Sequence, residues 1–191
     1  MPRARTATKE QSILESASRI FAVRPYHEVL IDHIAADAGI GKGTIYRYFE
    51  TKDDLYFATL LYLMESLATA LESTLPQEGS PSRRLERIAT EILTFFWDRR
   101  FLIPLLQRDE RPDRESAILK RREPILRFVQ ESILEGIERR EFRGIDARIG
   151  AELFLGMTRS ANLFRRPEDT REELVAHVMS VFLKGVSRRE A

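Results

Sequence analysis

The stretch from Ile31 to Phe49, IDHIAADAGIGKGTIYRYF, constrains the fold of this chain more than any other part of its sequence. Ile34, Ala35 and Ala38 lie at i, i+1 and i+4, which is the spacing of one apolar helix face. Gly39 follows them, and glycine readily takes the left-handed conformation that ends a helix in a sharp turn. The stretch therefore predicts two short helices joined by a tight turn.

The second helix of this unit is predicted to run from about Gly41 to Phe49. Its apolar face directs Ile45 and one of Tyr48 or Phe49 into the core, while its other side chains face outward. Lysine, threonine and tyrosine donate hydrogen bonds to phosphate oxygens, and arginine also reads guanine in the major groove. A glycine near the helix N-terminus lets the backbone approach the sugar-phosphate chain. The predicted DNA contacts are Lys42, Gly43, Thr44, Tyr46, Arg47 and Tyr48.

Two ordinary packed helices with solvated side chains give a similar pattern, and an isolated match of this length has many false positives. The surrounding sequence favours a DNA-binding unit over two ordinary packed helices. GKGTIYRYFETKDDL resembles the recognition helix and the next helix start of the tetracycline-repressor (TetR/AcrR) family. The preceding ILESASRIFAVRPYHEVLIDHIAADAGI resembles the first two helices of that family, so that the resemblance covers residues 10–60 closely.

The resemblance implies an all-α protein of about nine helices in two domains. Residues 1–52 are expected to form a three-helix helix-turn-helix DNA-binding domain, and residues 53–191 a helical effector-binding and dimerisation domain. In the family the last two helices pair with their copies as a four-helix bundle, and Lys52 reaches a phosphate from the start of the fourth helix. The implied partners are double-stranded operator DNA, a second copy of the chain and a small-molecule effector.

Three positions depart from the family pattern. Pro25 stands where glycine is usual, and Val29–Leu30 stands where Ser or Thr usually caps the second helix. Gly41 replaces the usual serine at the start of the recognition helix. We therefore expect the second helix to begin without a side-chain cap, and the phosphate contacts of the two missing hydroxyl groups to be lost.

The other helices are predicted from caps and apolar spacing. The predicted N-caps are Thr8, Thr51, Asp146 and Thr170, the first and last of them in capping boxes. The helix from Lys52 to about Leu75 is apolar on more than one face, which predicts burial on several sides. Further helices are predicted over 82–99, 114–140 with Pro124 inside, 146–165 and 170–187, with short segments between Pro104 and Pro112.

The second domain carries the densest aromatic cluster of the chain, at positions 95–101. Such clusters occur both in packed cores and in ligand pockets. Arg159 and Asn162 are polar residues in an apolar helix, where they either orient a polar ligand or make hydrogen bonds within the chain or a dimer. The candidate pocket residues are Phe57, Leu61, Phe96, Trp97, Phe128, Phe154, Met157, Arg159 and Asn162.

The composition is that of a globular chain, with 191 residues of which 43% are hydrophobic and 32% charged. The net charge is only +1, so that DNA affinity has to come from a local basic surface. Arg3 and Arg5 open the chain as a basic arm that either follows a minor groove or is a solvated tail. The lack of cysteine excludes disulfides, thiolate zinc sites and cysteine nucleophiles.

Catalysis is not predicted for this chain. Its three histidines are scattered, and their i, i+4 pairs with Asp37 and Glu173 offer too few ligands for a metal site. Gly39, Gly41 and Gly43 lack the preceding strand of a dinucleotide-binding loop. We expect no catalytic residue, metal or cofactor. The sequence shows neither a signal peptide nor a membrane span, which favours a cytoplasmic protein.

These observations favour a dimeric DNA-binding transcriptional regulator, a repressor that a small-molecule effector releases from a pseudo-palindromic operator. One recognition helix covers few base pairs, whereas two symmetric copies bind with more selectivity. The alternative is a DNA-binding interaction protein of the same fold, whose second domain recruits a protein and binds no small molecule.

Overall fold

The structure, a computed structural model, describes residues 8–75, 79–99 and 112–186. These residues form eight α-helices and one 3₁₀ helix and contain no strand, which confirms the all-α class. The predicted short segments between Pro104 and Pro112 lie outside the described residues. The α-helices are α1 Lys9–Val23, α2 Ile31–Asp37, α3 Lys42–Tyr46, α4 Lys52–Thr74, α5 Pro81–Trp97, α6 Pro112–Glu138, α7 Ala147–Leu163 and α8 Arg171–Val186, and the 3₁₀ helix is Tyr26–Glu28.

The described residues fall into two compact units. The first takes in residues 8–64 and 99, and the second takes in residues 65–75, 79–98 and 112–186. Helix α4 contributes its beginning to the first unit and its end to the second. The predicted domain division after residue 52 stays a prediction.

In the first unit, α1 packs against α2, and α2 packs against α3. The core consists of fully buried apolar side chains that recur at helical spacing on α1 and continue on the later helices. Thr8 caps α1 as predicted, since its Oγ1 accepts from the backbone N–H of Gln11 at 3.2 Å. The Gln11 side chain donates to Glu15. The fully buried apolar residues of this unit are Ile13, Ala17, Phe21, Val29, Ile34 and Leu55.

The turn between α2 and α3 has the predicted form. Gly39 has a φ of 66°, in the left-handed region that favours glycine. Its N–H donates to the carbonyl oxygen of Ala36, and the N–H of Ile40 donates to that of Ala35 at 3.0 Å. These two bonds form a Schellman motif, which satisfies the last carbonyl groups of α2 and fixes the direction in which α3 starts.

Helices α2 and α3 both begin without a side-chain cap, as the sequence predicts. Leu30 and Gly41 occupy the N-cap positions, and neither makes a side-chain hydrogen bond to the following turn. The first N–H groups of these two helices are consequently open to solvent or to an anion.

In the second unit, α6 packs against α7, and α5 packs against α6, α7 and α8. Two predicted caps are confirmed. Asp146 accepts from the N–H of Ile149 at 3.0 Å, and Thr170 with Glu173 forms a complete capping box at the start of α8. Helix α6 contains Pro124. Arg122, two residues before this proline, forms an ion pair with Glu152 of α7. This arginine lowers the pKa of the Glu152 carboxyl through a hydrogen bond.

Helix α7 differs from the sequence prediction in which side it buries. Its apolar spacing predicts that Ile149, Leu153, Phe154, Met157 and Ala161 face inward. Phe154 has no exposed surface, as predicted, whereas Ile149 and Leu153 are 43% and 61% exposed in the isolated chain. The buried side also carries Ala151 and Thr158, each with no exposed surface. The helix has apolar residues on two opposite sides, and spacing alone does not tell which side meets the core of the same chain.

Candidate nucleic-acid interface

Helix α3 is anchored by two side chains and presents the others to solvent. Ile45 and Phe49 are buried, whereas Tyr46 and Tyr48 are 45% and 41% exposed. Of the two alternatives left by the sequence, Phe49 is therefore the core residue. The helix is shorter than predicted and continues as turns, in which the N–H groups of Tyr48 and Phe49 both donate to the carbonyl oxygen of Ile45 at 3.0 Å.

The predicted DNA contacts on α3 and the following turn lie on one short stretch of surface. Lys42, Gly43, Tyr46, Arg47 and Tyr48 are exposed, and Thr44 is half-buried. A Cβ atom added at Gly43 would meet nothing within 4 Å, so that the backbone there is open to a close approach. Arg3 and Arg5 lie outside the described residues.

Lys42 forms an ion pair with Asp32 across the turn. Its Nζ lies 2.8 Å from Asp32 Oδ2, and both side chains are exposed. The hydrogen bond from Asp32 raises the pKa of the Lys42 ammonium. This pair is not predicted from the sequence, although opposite charges on both sides of a predicted tight turn are a signal for it. A phosphate at Lys42 has to compete with the Asp32 carboxylate.

The Lys52 ammonium makes hydrogen bonds within the first unit, whereas the family resemblance implies a contact with a DNA phosphate. Its Nζ donates to the carbonyl oxygens of Tyr26 at 2.8 Å and Val29 at 3.0 Å. The same ammonium lies 4.2 Å from the centroid of the Tyr26 ring. Lys52 thereby ties the first turn of α4 to the segment that leads into α2.

Contacts between the rings of Phe21, Tyr26 and Tyr56 further connect this segment to α1 and α4. The Tyr26 ring is half-buried, and its centroid lies 4.8 Å from that of Tyr56 and 6.3 Å from that of Phe21. Burial, with a contribution from Tyr26, raises the pKa of the Tyr56 hydroxyl to about 12. Tyr26 therefore packs between α1 and α4.

A second charged contact fixes the end of α2. Arg19 of α1 donates to Asp37 Oδ2 at 2.6 Å and to Ser16 Oγ at 2.9 Å. Hydrogen bonds from the Arg19 side chain, which has the larger effect, and from the Ser16 side chain lower the pKa of the Asp37 carboxyl. No local pattern in the sequence predicts this contact, because its partners are separated by a helix end, a 3₁₀ helix and most of α2.

The candidate pocket residues are divided between the two units. Phe57 and Leu61 belong to the first unit, where both are half-buried, and the other seven belong to the second. Phe96 and Phe154 are buried, and Trp97, Phe128 and Met157 are half-buried.

The two polar pocket candidates have different surroundings. Arg159 is exposed. Asn162 is only 3% exposed, and its Oδ1 has no hydrogen-bond partner. Asn162 is thus the polar residue that lies in the interior of the second unit.

The described part of the chain lacks two other kinds of site. Within residues 8–75, 79–99 and 112–186, no three His, Cys, Asp or Glu side chains lie close enough together to hold a metal ion. None of the eight helices is both long enough and apolar enough to cross a membrane.

Known proteins resemble this chain in sequence. Residues 13–59 match the family model of bacterial regulatory proteins of the tetR family. The fatty acid metabolism regulator protein of Bacillus subtilis is 22% identical over 188 residues, which cover 95% of this chain and 97% of the relative.

Two solved structures share the fold over nearly their whole length. The transcriptional regulator FadR from Bacillus subtilis in complex with stearoyl-CoA is 20% identical, with a TM-score of 0.76 over 91% of this chain and 97% of that one. AibR in complex with isovaleryl coenzyme A and operator DNA is 23% identical, with a TM-score of 0.70 over the same shares. The matched domain, the relatives and the fold support the assignment of the chain to the TetR family of DNA-binding transcriptional regulators.

Proposed function

We propose that this regulator is a cytoplasmic dimeric repressor, which holds a pseudo-palindromic operator until a small-molecule effector releases it. The observation that carries the DNA-binding role is the exposed side of α3, where Lys42, Gly43, Tyr46 and Arg47 surround the buried anchor Ile45. No metal or cofactor is needed for this role, since the surface offers hydrogen-bond donors and a positive charge directly to DNA.

The roles on this surface follow from the chemistry of each side chain. Arg47 is placed to read guanine through its two parallel N–H donors. Tyr46, Tyr48 and Thr44 carry hydroxyl groups that donate to phosphate oxygens, and Gly43 lets the backbone come close to the sugar. Because α3 is short, one copy reads only a few base pairs, and a second copy is needed for a selective site.

An exposed apolar stripe on α7 supports a dimer through the last two helices. Ile149 and Leu153 lie on the same side of α7, and Phe164, directly after its last residue, is 77% exposed. Gly156 and Ser160 lie between them on this side, and small residues let a second helix come close. Val181 of α8 is also largely exposed. A monomer gains nothing from leaving such apolar surface in water, whereas a symmetric partner buries it.

We propose an acyl-CoA thioester as the effector class. Two proteins of the same fold are seen with stearoyl-CoA and isovaleryl coenzyme A, and a relative over nearly the full length is a fatty acid metabolism regulator. Helix α4 is continuous from Lys52 to Thr74, so that a shift of its later part moves its start. An effector that binds better in the shifted state weakens DNA binding by linkage.

In vitro selection of genomic fragments with the purified protein tests the regulator assignment. We expect a pseudo-palindromic sequence to be enriched and the neighbouring genes to indicate the regulated process. Failure to enrich any sequence would contradict selective operator binding. In parallel, a melting temperature that rises with palmitoyl-CoA concentration is expected for an effector-binding regulator, whereas an unchanged melting temperature favours the protein-recruiting alternative.

Removing the carboxylate that holds Lys42 is expected to strengthen DNA binding. Asp32→Asn frees the Lys42 ammonium for a phosphate and removes a negative charge beside the DNA. The affinity for the selected operator should rise several-fold at low salt, and the slope of log K against log salt should steepen by about one. Fluorescence anisotropy at several salt concentrations measures both quantities.

Glu10→Gln, in the exposed first turn of α1, removes the same charge elsewhere and serves as the control. It should leave the salt slope unchanged. If Asp32→Asn also binds with the affinity and slope of the wild type, Lys42 does not contact a phosphate.

A further inference from the structure

Asn162 carries an unused hydrogen-bond acceptor in the interior of the second unit. Its side chain is buried on α7, and among the described residues it holds the one buried side-chain oxygen or nitrogen without a partner. Thr158, one turn earlier on the same side of the helix, donates to the carbonyl oxygen of Phe154 at 2.9 Å. A buried acceptor that lacks a donor costs about 1 to 3 kcal/mol, and the great majority of such groups are satisfied.

A second copy of the chain does not supply the missing donor. The exposed stripe that contains Ile149 and Leu153 lies on the side of α7 opposite to Asn162, as follows from 100° of rotation per residue. A partner docked on that stripe meets the outer side of α7, whereas the Asn162 Oδ1 is enclosed on the inner side. The donor is therefore a buried water molecule or a group of a ligand that reaches the inner side of α7.

Two guanidinium groups lie at the end of α7 that carries Asn162. Arg165 follows Asn162 by three residues, and its guanidinium lies 4.0 Å from the centroid of the Trp97 ring while it donates to the Trp97 carbonyl oxygen. Arg171, in the first turn of α8, lies 5.8 Å from the same centroid. Arg166 contributes less charge here because it pairs with Asp169 at 3.0 Å.

The buried side of α7 therefore changes from apolar to polar along its length. Before Thr158, Phe154 packs edge-on against Phe182 of α8 with centroids 5.0 Å apart. After it come Asn162 and the arginines around Trp97. An amphiphilic ligand with an apolar chain and a charged head matches this order.

The chemistry of the polar end narrows the class of ligand. The Oδ1 of an asparagine only accepts, so that the ligand has to bring an N–H or O–H group. An ionised fatty acid offers acceptors alone. A coenzyme A thioester brings amide N–H groups in its pantetheine arm and phosphates that pair with guanidinium groups.

We propose that Asn162, Arg165 and Arg171 form the subsite for the coenzyme A part of the effector, with the Asn162 Oδ1 accepting from a pantetheine amide. This inference rests on the proposed acyl-CoA effector and adds the residues that distinguish the thioester from the free acid.

Calorimetric titration of the full chain with palmitoyl-CoA and with palmitate tests the subsite. We expect the wild type to prefer palmitoyl-CoA, and Asn162→Leu to weaken palmitoyl-CoA binding about tenfold or more because the amide N–H loses its acceptor. The ligand-free Asn162→Leu protein should melt at the same or a higher temperature than the wild type, since it no longer buries an unpaired oxygen. Thr158→Val, whose hydroxyl is already satisfied within α7, should change the affinity less than threefold or so.

The possible failures are distinguishable. If the wild type binds palmitoyl-CoA and Asn162→Leu binds it equally well, the subsite is wrong and the effector class stands. A lower melting temperature of ligand-free Asn162→Leu would show that the amide is a structural group, which also overturns the subsite. If the wild type binds no palmitoyl-CoA, the proposed effector class is wrong and the subsite falls with it, while operator selection still tests DNA binding.

Discussion

Leu153→Glu is expected to convert the dimer into a monomer and to weaken operator binding about a hundredfold or more, because the second recognition helix is no longer held beside the first. Leu153 is 61% exposed in the isolated chain and lies in the middle of the apolar stripe of α7. A carboxylate at this position would have to lose its water in the dimer, which is costly without a partner. Sedimentation velocity measures the dimer, and anisotropy with the selected duplex measures the affinity.

Leu119→Glu provides a matched control. Leu119 is a leucine of similar exposure, 56%, but it lies on α6 and outside the stripe. This variant should remain dimeric and bind the operator as the wild type does. A dimeric Leu153→Glu protein with normal operator binding would contradict the assignment of the dimer surface to α7 and α8.

Lys52→Met is expected to lower the free energy of unfolding by about 2 to 3 kcal/mol, because it removes a charged donor from two backbone carbonyl groups. The methionine keeps most of the apolar stem, so that the change isolates the ammonium. The loss includes the contact with the Tyr26 ring, which contributes about 0.5 to 1 kcal/mol at a partly exposed site. Urea unfolding of the wild type and the variant measures the difference.

Operator binding separates this structural role of Lys52 from a phosphate contact. For the folded Lys52→Met protein we expect the salt slope of the wild type, whereas a lost phosphate contact lowers the slope by about one. Lys42→Met is the matched control for stability, since it removes an exposed ammonium from the DNA side of α3 and leaves the carbonyl groups of Tyr26 and Val29 bonded to Lys52; it should unfold as the wild type does. If Lys52→Met keeps its stability and loses a unit of slope, the ammonium belongs to the DNA contact that the family resemblance implies.

Those features of the fold that depend on neighbouring residues are predictable from the sequence. Gly39 ends α2 in the left-handed conformation, and Thr170 with Glu173 caps α8, because each signal lies within one turn of the element it controls. The missing caps at Leu30 and Gly41 are also local and were predicted.

Contacts between distant parts of the chain account for what the sequence does not reveal. Lys52 meets the carbonyl groups of Tyr26 and Val29 only once the 3₁₀ helix has brought them to the start of α4. Arg19 and Asp37 likewise meet through the packing of α1 on α2. In neither case does the spacing along the chain specify the partner.

Helix α7 shows another reason why part of the fold is not predictable from the sequence. Its two opposite apolar sides are equivalent in the sequence pattern, and only the packing in the second unit places Phe154 inside and Leu153 outside. The same packing separates the two polar candidates, since it encloses Asn162 and leaves Arg159 exposed. Their polar side chains made both Asn162 and Arg159 candidates for the pocket, and only their burial in the structure distinguishes them.

Anisotropy titration of the selected operator and of a scrambled duplex of the same composition, with the wild type and with Arg47→Ala, tests the central claim most directly. We predict two chains bound per operator, and tight wild-type binding that the scrambled duplex lacks. Arg47→Ala should bind the operator about 10- to 100-fold more weakly, the effect of one lost base contact. Equal wild-type affinity for the two duplexes, or an Arg47→Ala protein that binds the operator as the wild type does, would contradict the assignment of α3 as the helix that reads the DNA.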